Sequence, residues 1–433
     1  MYKITRRNFL QSSAALAAGL SLGLSGCGGS GGSQKTSRFA VLSDPHIYDT
    51  SLGTDGEAFL TYIASDRKML VQSAEILEAI VAELLDVEGL EFVLVPGDLT
   101  KDGEKVCHEK FNSIMTPLLD NGIDVYVVPG NHDVNNPHAV SFSGGTTIPV
   151  AQVTPEEFAE IHKDFGYSRA KYKDPDSLSY VAEVAENVWL IAIDSCKYDD
   201  NATSPDTSGE ISSATLSWIL DKLSKARHSG IKVFGMAHHG MTSHFAAQTT
   251  FFPEYVLDDY MTVGELLVNA GLDLFFTGHF HAQDIVRADF SGGSLYDIET
   301  GSSVTAPCPY RVIDFDIVNK ALDITSSEVH SIPSVADFDT YKADFISTGM
   351  LGIYQAALPA MGISADVAPA VSEIHIAHYK GDEQGYTSLS ATSVAIIQSM
   401  LASTDPDTLQ LAYALVDWAS DSSMADNNTD ISF

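Results

Sequence analysis

The stretch EFVLVPGD, residues 91–98, is a short apolar run that ends in a glycine and an aspartate. Runs of Val, Leu and Phe flanked by helical patterns are typical of buried strands in an α/β sheet. Four further runs also end in polar residues, namely RFAVLSD (38–44), VYVVPGNHD (125–133), KVFGMAHH (232–239) and LDLFFTGHFH (272–281). Because the carboxyl ends of parallel strands meet in one crevice, we expect these residues to converge.

The polar residues at the ends of the five runs are Asp, Asn and His, with no Cys among them. Carboxylate and amide oxygens mixed with imidazoles suit borderline cations such as Zn, Mn or Fe, whereas a soft site uses thiolates. The order and spacing of these residues indicate a two-metal site for phosphoryl transfer.

With these five blocks in this order, residues 38 to 325 resemble the calcineurin-like metallophosphoesterases. This superfamily includes purple acid phosphatases, Ser/Thr phosphatases and class III cyclic nucleotide phosphodiesterases. Segments such as GDLTKDGEKVCHEKF, GNHDVNNPHA and AHHGMTSH look most like those of the class III enzymes of the bacterial cell envelope. The resemblance implies a four-layer αββα sandwich that holds two metal ions.

The resemblance also implies which residue binds which ion. The ligands would be Asp44, His46 and His281 for one metal, Asn131, His238 and His279 for the other, and Asp98 as the bridge. A shared carboxylate holds two cations about 3.5 to 4 Å apart, which lets a hydroxide attack phosphorus in line. The ions would be Mn, Fe or Zn. The GDLT block carries no tyrosine of the purple acid phosphatase kind, which argues against a charge-transfer Fe(III) site.

Four residues near the ligands are candidates for other roles. By the family pattern His132 faces the substrate, where it stabilises the transition state or protonates the leaving oxygen, and Asp133 orients it. His239 either reaches the substrate or packs locally. His244 either contacts the substrate or is a solvated loop histidine.

The first residues predict export. Arg6 and Arg7 belong to a twin-arginine motif, and an Ala, Leu and Gly-rich segment follows, so residues 1–26 read as a signal peptide. The sequence LSGC that ends at Cys27 resembles a bacterial lipobox, which predicts a lipid anchor at Cys27 and a flexible tether over residues 27–37. The expected location is the cell envelope, on the outer face of the cytoplasmic membrane or in the periplasm. Secretion without lipid and, less favoured, a transmembrane anchor are the alternatives.

The composition restricts the partners. A formal net charge of -34 repels polyanions and leaves no basic stripe, which makes nucleic-acid polymers unsuitable substrates. A small phosphoester can still bind, because two divalent cations concentrate positive charge where the phosphate lies. Besides Cys27, an odd number of cysteines remains, so at most one disulfide can form among Cys107, Cys196 and Cys308.

The elements alternate between strand and helix patterns early in the chain and become mostly antiparallel strands later. We expect a metallophosphoesterase domain over residues 38–334, with a mixed insertion over residues 135–180. Residues 335–433 show helical periodicity without catalytic spacing, which predicts a small helical domain whose acidic tail frays after about residue 421.

The sequence therefore predicts an exported, membrane-tethered, dinuclear-metal hydrolase of small phosphodiesters, with cyclic nucleotides as first candidates. A phosphomonoesterase uses the same metals and stays open. The alternative that is not an enzyme is a noncatalytic lipoprotein that binds metal or a phosphorylated ligand. The presence of both Asp98 and His132 argues against it, since a degenerate member is expected to lose such residues.

Overall fold

Val, Leu and Phe-rich runs form most strands of two large β-sheets, and residues 140–143 and 146–149 form a separate two-stranded sheet. The structure is a computed structural model that describes residues 36–64, 66–420 and 424–433. The predicted signal peptide, Cys27 and most of the tether lie outside the described residues. The strands are β1 (Thr36–Val41), β2 (Leu90–Val95), β3 (Asp124–Val127), β4 (Val140–Ser143), β5 (Thr146–Pro149), β6 (Tyr172–Lys173), β7 (Tyr180–Ala185), β8 (Val188–Ile193), β9 (Lys232–Ala237), β10 (Leu274–Thr277), β11 (Asp284–Phe290), β12 (Gly293–Glu299), β13 (Pro309–Asp316), β14 (Ala321–Glu328) and β15 (Asn428–Ser432).

The α-helices of the described residues fall into an early and a late set. Those before residue 300 are α1 (Glu57–Ile63), α2 (Ser73–Leu85), α3 (Lys105–Asp120), α4 (Pro155–Ile161), α5 (Ser213–His228), α6 (Gln248–Phe251) and α7 (Tyr260–Ala270). Those after it are α8 (Phe338–Ala360), α9 (Ala368–Lys380), α10 (Ala391–Leu401) and α11 (Pro406–Trp418).

Both sheets combine parallel and antiparallel strands. The first has the order β15-β14-β13-β1-β2-β3, in which β1, β2 and β3 are parallel and β3 is an edge strand. The second has the order β11-β12-β10-β9-β8-β7-β6, in which the central strands β12, β10, β9 and β8 are parallel. The runs that carry the predicted ligands are therefore parallel strands, whose carboxyl ends lie on the same side of each sheet.

The two sheets pack face to face through aromatic side chains. The ring of Phe39 in β1 stacks on Phe92 of β2 with centroids 4.7 Å apart, and it contacts Phe276 of β10 edge to face at 5.3 Å. Phe234 of β9 completes this contact at 5.9 Å from Phe39. Buried aromatic pairs with this geometry add to the apolar burial that holds the layers together.

Helices cover the outer faces of both sheets. Ile76 and Ile80 of α2 and Phe111 of α3 are buried in the core of the first sheet. Helices α5 and α7 pack on the second sheet through residues such as Ile219 and Leu267. The expected four-layer αββα arrangement is confirmed.

The late helices pack on one another and around the loop after β10. Phe280, Met350, Tyr354 and Trp418 belong to one buried apolar cluster, to which helices α8, α9 and α11 all contribute. Phe280 stands between two predicted ligands, His279 and His281. The C-terminal helical segment is therefore in direct contact with a ligand-bearing loop.

The chain end departs from the prediction. Residues Asn428–Ser432 form β15, which pairs antiparallel with β14 at the edge of the first sheet, and Ile431 is buried there. The expected fraying after residue 421 is wrong for residues 428–432. A short polar segment with one Ile gives a weak strand pattern, and its partner lies about a hundred residues earlier. The described residues on either side of position 334 belong to one compact unit.

The three described cysteines form no disulfide. Cys107 and Cys308 are buried and Cys196 is half-buried, and all three are free thiols. Burial raises the pKa of each thiol above its ordinary value, so none is a reactive thiolate near neutral pH.

Candidate metal centre

The predicted ligands lie on tight loops directly after their strands. Asp44, His46, Asp98, His279 and His281 all have left-handed backbones, with φ values of 50°, 37°, 50°, 76° and 70°. This region is unfavourable for residues with a side chain, and such strain gathers where a fold forces ligands into one place. The strand ends thus turn sharply enough to direct five ligands into the same crevice.

Glycines permit the close approach of these loops. A side chain at Gly130 would collide with the carboxylate of Asp98, and one at Gly278 would collide with Ser43 and Asp44. Each glycine stands just before a predicted ligand, so the sequence pattern Gly-Asn-His and Gly-His reflects the space that the crossing loop needs.

The first group of ligands is Asp44, His46, Asp98 and His281. Their ligand atoms all lie within 4.8 Å of one another, and all four residues are buried. The Nε2 atoms of His46 and His281 are 3.1 Å apart, and Nε2 of His281 is 3.4 Å from Oδ1 of Asp44. This is the set that the sequence assigns to one metal ion.

The second group contains Asp98, His238 and His279, again with ligand atoms within 4.8 Å of one another. Nε2 of His238 is 3.0 Å from the side-chain oxygen of Asn131, which places Asn131 at the same point. The other ring nitrogen of His238 is 2.8 Å from the carbonyl oxygen of Pro96, and such contacts fix the ring orientation of a metal-binding histidine.

Asp98 belongs to both groups. Its Oδ2 lies 3.5 Å from Nε2 of His46 and 3.5 Å from Nε2 of His238. Its Oδ1 accepts a hydrogen bond of 2.9 Å from the backbone N–H of His132, which holds the carboxylate in place. One carboxylate oxygen therefore lies between two sets of ligands, as the bridging assignment requires.

The chemistry of the residues fits a pair of cations. Burial lowers the pKa of both His46 and His281 well below the ordinary range, so two neutral imidazoles face each other across 3.1 Å. Oδ1 of Asp44 is buried without a hydrogen-bond partner. Neutral imidazole nitrogens and carboxylate oxygens are ligands for Zn, Mn or Fe, and a cation between them would compensate the buried acceptors.

His132 lies at the mouth of this group and is held by an aspartate that the sequence reasoning missed. Its Nδ1 is 2.8 Å from Oδ1 of Asp102, and its side chain keeps 22% of its surface exposed. Burial alone would lower the pKa of His132, but the charges of Asp98 and Asp102 raise it above the ordinary value. Lys101 forms an ion pair with Asp102 in turn. The sequence signal that could have indicated Asp102 is its position four residues after Asp98 within GDLTKD.

Asp133 has a different partner from the one expected. Its carboxylate accepts hydrogen bonds from the backbone N–H groups of Leu99, Thr100 and Gly130, at 3.0, 2.9 and 2.9 Å, and from the hydroxyl of Thr100 at 2.8 Å. The expectation that Asp133 orients His132 is therefore wrong. Asp133 ties the loop after β2 to the loop after β3, because its side chain points back toward those backbones.

His239 is buried, and protein atoms contact both of its ring nitrogens. Nδ1 is 2.8 Å from the hydroxyl of Ser195, and Nε2 is 3.1 Å from the carbonyl oxygen of Thr207. Local packing is the alternative that this geometry supports, and a substrate contact of His239 stays a prediction.

His244 is not a solvated loop residue, and its ring contacts acidic side chains instead of the ligand groups. Its side chain is 0% exposed, with Nδ1 3.2 Å from Asp284 and Nε2 3.4 Å from Asp297 and 3.7 Å from Glu299. Burial opposes a charged imidazole, but the carboxylates of Asp284 and Asp297 raise the pKa of His244 well above its ordinary value. The solvated-loop interpretation of His244 is wrong, because its acidic partners come from β11 and β12, some 40 to 55 residues later. The substrate contact of His244 stays a prediction.

Two cations beside the ligands were also missed. Arg67 and Lys68 lie in the loop a few residues before α2. Burial lowers the pKa of His281 first, and the positive charges of Arg67 and Lys68 lower it further. Lys68 also acts on His46 and His132. The structure thus places two positive side chains next to the predicted metal centre.

Comparison with known proteins agrees with this geometry. The profile of the family described as Calcineurin-like phosphoesterase matches residues 37–283, and a twin-arginine translocation signal profile matches residues 3–23. No curated protein sequence matches the chain significantly. The signal supports export across the cytoplasmic membrane. Among the described residues, no helix is both long and apolar enough to cross a membrane.

Several solved structures are similar to this chain at low sequence identity. A dimetal phosphatase from Danio rerio has 16% identity and a TM-score of 0.48, covering 67% of this chain and 96% of its own. Purple acid phosphatase PPD1 from yellow lupin has 14% identity and a TM-score of 0.43, covering 70% of this chain and 53% of its own. A 5'-nucleotidase precursor from Thermus thermophilus has 11% identity and a TM-score of 0.39, covering 76% of this chain and 59% of its own.

The family profile covers more than half of the chain and spans all seven ligand positions that the two buried groups bring together. The chain belongs to the calcineurin-like phosphoesterase family and is a metal-dependent phosphoric ester hydrolase.

Proposed function

We propose that the protein hydrolyses small-molecule phosphodiesters and that cyclic nucleotides are the first substrates to test. The observation that carries the proposal is the position of Asp98, whose Oδ2 is 3.5 Å from histidines of two separate ligand groups. A shared carboxylate of this kind is what a two-metal phosphoesterase needs. The preference for diesters rests on the resemblance of the segments between the ligands to class III phosphodiesterases.

In this proposal Asp44, His46 and His281 would hold one cation, Asn131, His238 and His279 would hold the other, and Asp98 would contact both. When bound, the two cations supply positive charge for the phosphoryl oxygens and an acidified water as nucleophile. The cation identities stay open among Mn, Fe and Zn. The chain itself supplies the tight loops and the buried contacts that hold these ligands before any substrate arrives.

His132 is proposed to donate a proton to the leaving oxygen. Asp102 accepts from Nδ1–H, which leaves Nε2 facing the site at 3.9 Å from Asp98. The raised pKa of His132 keeps its imidazole protonated to a higher pH and thus suited to a general acid. Asp102 is proposed as the positioning residue, a role that the sequence had given to Asp133.

A phosphomonoesterase is the second candidate, and the two cations Arg67 and Lys68 favour it. A monoester carries one more negative charge than a diester near neutral pH, and positive side chains beside the metals would stabilise that charge. Nucleic-acid polymers are disfavoured under either proposal, because the net charge of -34 repels them.

The test compares turnover of bis-p-nitrophenyl phosphate with that of p-nitrophenyl phosphate after metal removal and reconstitution with Mn, Zn or Fe. We expect metal-dependent cleavage that favours the diester and is lost in Asp98→Ala and His132→Ala. Preference for the monoester would move the assignment to a phosphatase. A folded protein that binds two ions and turns over neither substrate would favour the noncatalytic binding lipoprotein.

We also propose that the exported protein is lipid-anchored at Cys27. The support is the LSGC sequence that ends the apolar segment of the twin-arginine signal. Detergent phase partitioning of the wild type and Cys27→Ser tests this. The wild type is expected in the detergent phase and the variant in the aqueous phase, whereas aqueous partitioning of both would indicate secretion without lipid.

A further inference from the structure

Beside the metal centre lies a cavity of ≈ 210 Å³ that the proposed mechanism does not use. One wall comes from the segment between residues 245 and 255, and the opposite wall comes from helices α8, α9 and α11. The lining is mostly apolar and aromatic and includes Phe252, Tyr255, Tyr354, Leu415 and Trp418. An apolar cavity of about 150 Å³ is large enough to bind benzene, so this one has room for a ring-sized organic group.

The wall of the cavity contacts the ligand-bearing loop after β10. The ring of Tyr255 lies in its wall, 4.6 Å from the ring of His279 and 4.5 Å from the ring of Phe280. The carbonyl oxygen of the neighbouring Glu254 is 3.2 Å from Nε2 of His279. Glu254 and Tyr255 therefore line the cavity and also contact the predicted metal ligand His279.

Arg67 gives the cavity lining a positive charge. Its side chain lines the cavity, and its Nε atom is buried without a hydrogen-bond partner. A phosphate at the edge of the cavity would thus meet a guanidinium with a free donor. Guanidinium groups donate well to phosphate oxygens.

The helical wall is mostly apolar, and its polar groups are only partly engaged. The hydroxyl of Tyr354 is 2.6 Å from Nδ1 of His375, whereas Nε2 of His375 and Nε1 of Trp418 are buried without a hydrogen-bond partner. The rings of Phe245 and Trp418 stack on each other with centroids 5.2 Å apart. Such a wall offers a wide aromatic and apolar surface with two unpartnered ring nitrogens.

We propose that this cavity binds the apolar organic group of the phosphoester substrate while Arg67 contacts its phosphate. The proposal rests on the proposed phosphoester hydrolysis and narrows its substrate class. Esters that carry an aromatic ring, such as the base of a cyclic nucleotide, or a short aliphatic group are favoured over esters whose organic part is only a sugar or glycerol. The C-terminal helical segment then has a role in specificity, because it forms half of the cavity.

The test measures binding of phosphonates that share the anionic group and differ in the organic part. Calorimetric titration of the Mn-loaded protein would compare phenylphosphonate with methylphosphonate, and butylphosphonate with 2,3-dihydroxypropylphosphonate. Because each buried CH₂ group contributes about fourfold to affinity, the apolar member of each pair is expected to bind at least about tenfold more tightly.

Variants that fill the cavity provide the matched comparison. Ala357 of α8 and Ala414 of α11 are half-buried and line the cavity, whereas the adjacent Ala356 is exposed and does not line it. Ala357→Phe and Ala414→Phe are each expected to remove the apolar preference. Ala356→Phe is expected to keep it, with the same change in helix propensity. Because there are two filling variants, the test can still be read if one of them does not fold.

Turnover gives a second readout with a separate meaning. Each filling variant is expected to lower kcat/KM for bis-p-nitrophenyl phosphate at least tenfold, with Ala356→Phe within about twofold of the wild type. Equal affinities within each phosphonate pair, or an apolar preference that survives both filling variants, would overturn the cavity proposal. Absence of wild-type turnover would count against the proposed phosphoester hydrolysis only. The phosphonate titrations would still decide whether the cavity binds the apolar group.

Discussion

Asp102 and Asp133 are both buried aspartates near His132, and the structure gives them opposite tasks. Asp102 contacts the imidazole of His132, whereas Asp133 binds three backbone N–H groups and one hydroxyl. Substitution of Asp102 should therefore lower turnover, whereas substitution of Asp133 should lower the stability of the fold.

Asp102→Asn is expected to lower kcat about 10- to 100-fold for the diester with little change in KM, because His132 loses the acceptor that orients it. His132→Ala is expected to lower kcat by about 10² to 10⁴. Steady-state kinetics on the metal-loaded variants measures both. If Asp102→Asn matches the wild type in kcat while His132→Ala is inactive, the positioning role of Asp102 is refuted.

Asp133→Ala is expected to lower the free energy of unfolding by about 3 kcal/mol or more, because several buried backbone N–H groups lose their acceptor. Urea denaturation followed by circular dichroism measures this loss. Asp176→Ala, at an exposed loop aspartate, serves as the control. A variant as stable as the wild type with a selective loss of turnover would instead return Asp133 to a role in catalysis.

His244→Gln should show a stability loss that depends on pH. The folded pKa of His244 lies well above its unfolded value, so its charged form stabilises the fold fully below about pH 6.5 and loses this effect as the pH rises through the folded pKa. Removing one partner of a buried ion pair costs about 3 to 5 kcal/mol. The loss is therefore expected at pH 6 and should shrink at alkaline pH.

Denaturation of His244→Gln and the wild type at pH 6 and at alkaline pH measures this difference. His228→Gln, at an exposed position of α5, is the control and is expected to change stability little at either pH. A loss that is the same at both pH values would show that packing of the imidazole matters and its charge does not.

At the scale of elements, β15 closes the edge of the first sheet. Ile431 is 2% exposed and lies opposite Leu322 of β14, whereas the adjacent Asp430 points to solvent. Ile431→Ala is expected to lower the free energy of unfolding by about 2 to 4 kcal/mol, and Asp430→Ala by less than about 0.5 kcal/mol. Equal effects of the two substitutions in thermal or urea denaturation would mean that β15 does not pack on the sheet.

At the scale of the whole molecule, metal binding and folding should be coupled. The ligands come from five strands of both sheets, and the unfolded chain cannot present them together. A cation at about 100 times its Kd is expected to stabilise the folded protein by about 2.7 kcal/mol per site. Calorimetric scans with Mn, Zn and chelator should show a Tm that rises with metal and falls with chelation. A Tm that changes with neither Mn, Zn nor chelator would argue against an intact dinuclear centre.

The ligand blocks could be identified from the sequence because each is local. A short apolar run followed by Gly and Asp, Asn or His fixes a strand, a tight turn and a ligand within about ten residues. Parallel strands then bring the ends together by a general rule of α/β sheets. The convergence of the ligand positions followed from such local patterns, and the αββα layering followed from the family resemblance that they carry.

The sequence by itself thus determined the family, the kind of metal ligand and the strands that carry them. Only the tertiary structure decided the partners of Asp133 and His244, the place of β15 and the cavity beside Tyr255. Each of these depends on contacts between residues far apart in the chain, or on which way a side chain turns. Neither leaves a periodic signal in the sequence, because burial and hydrogen bonding are set by the surfaces that meet only after folding.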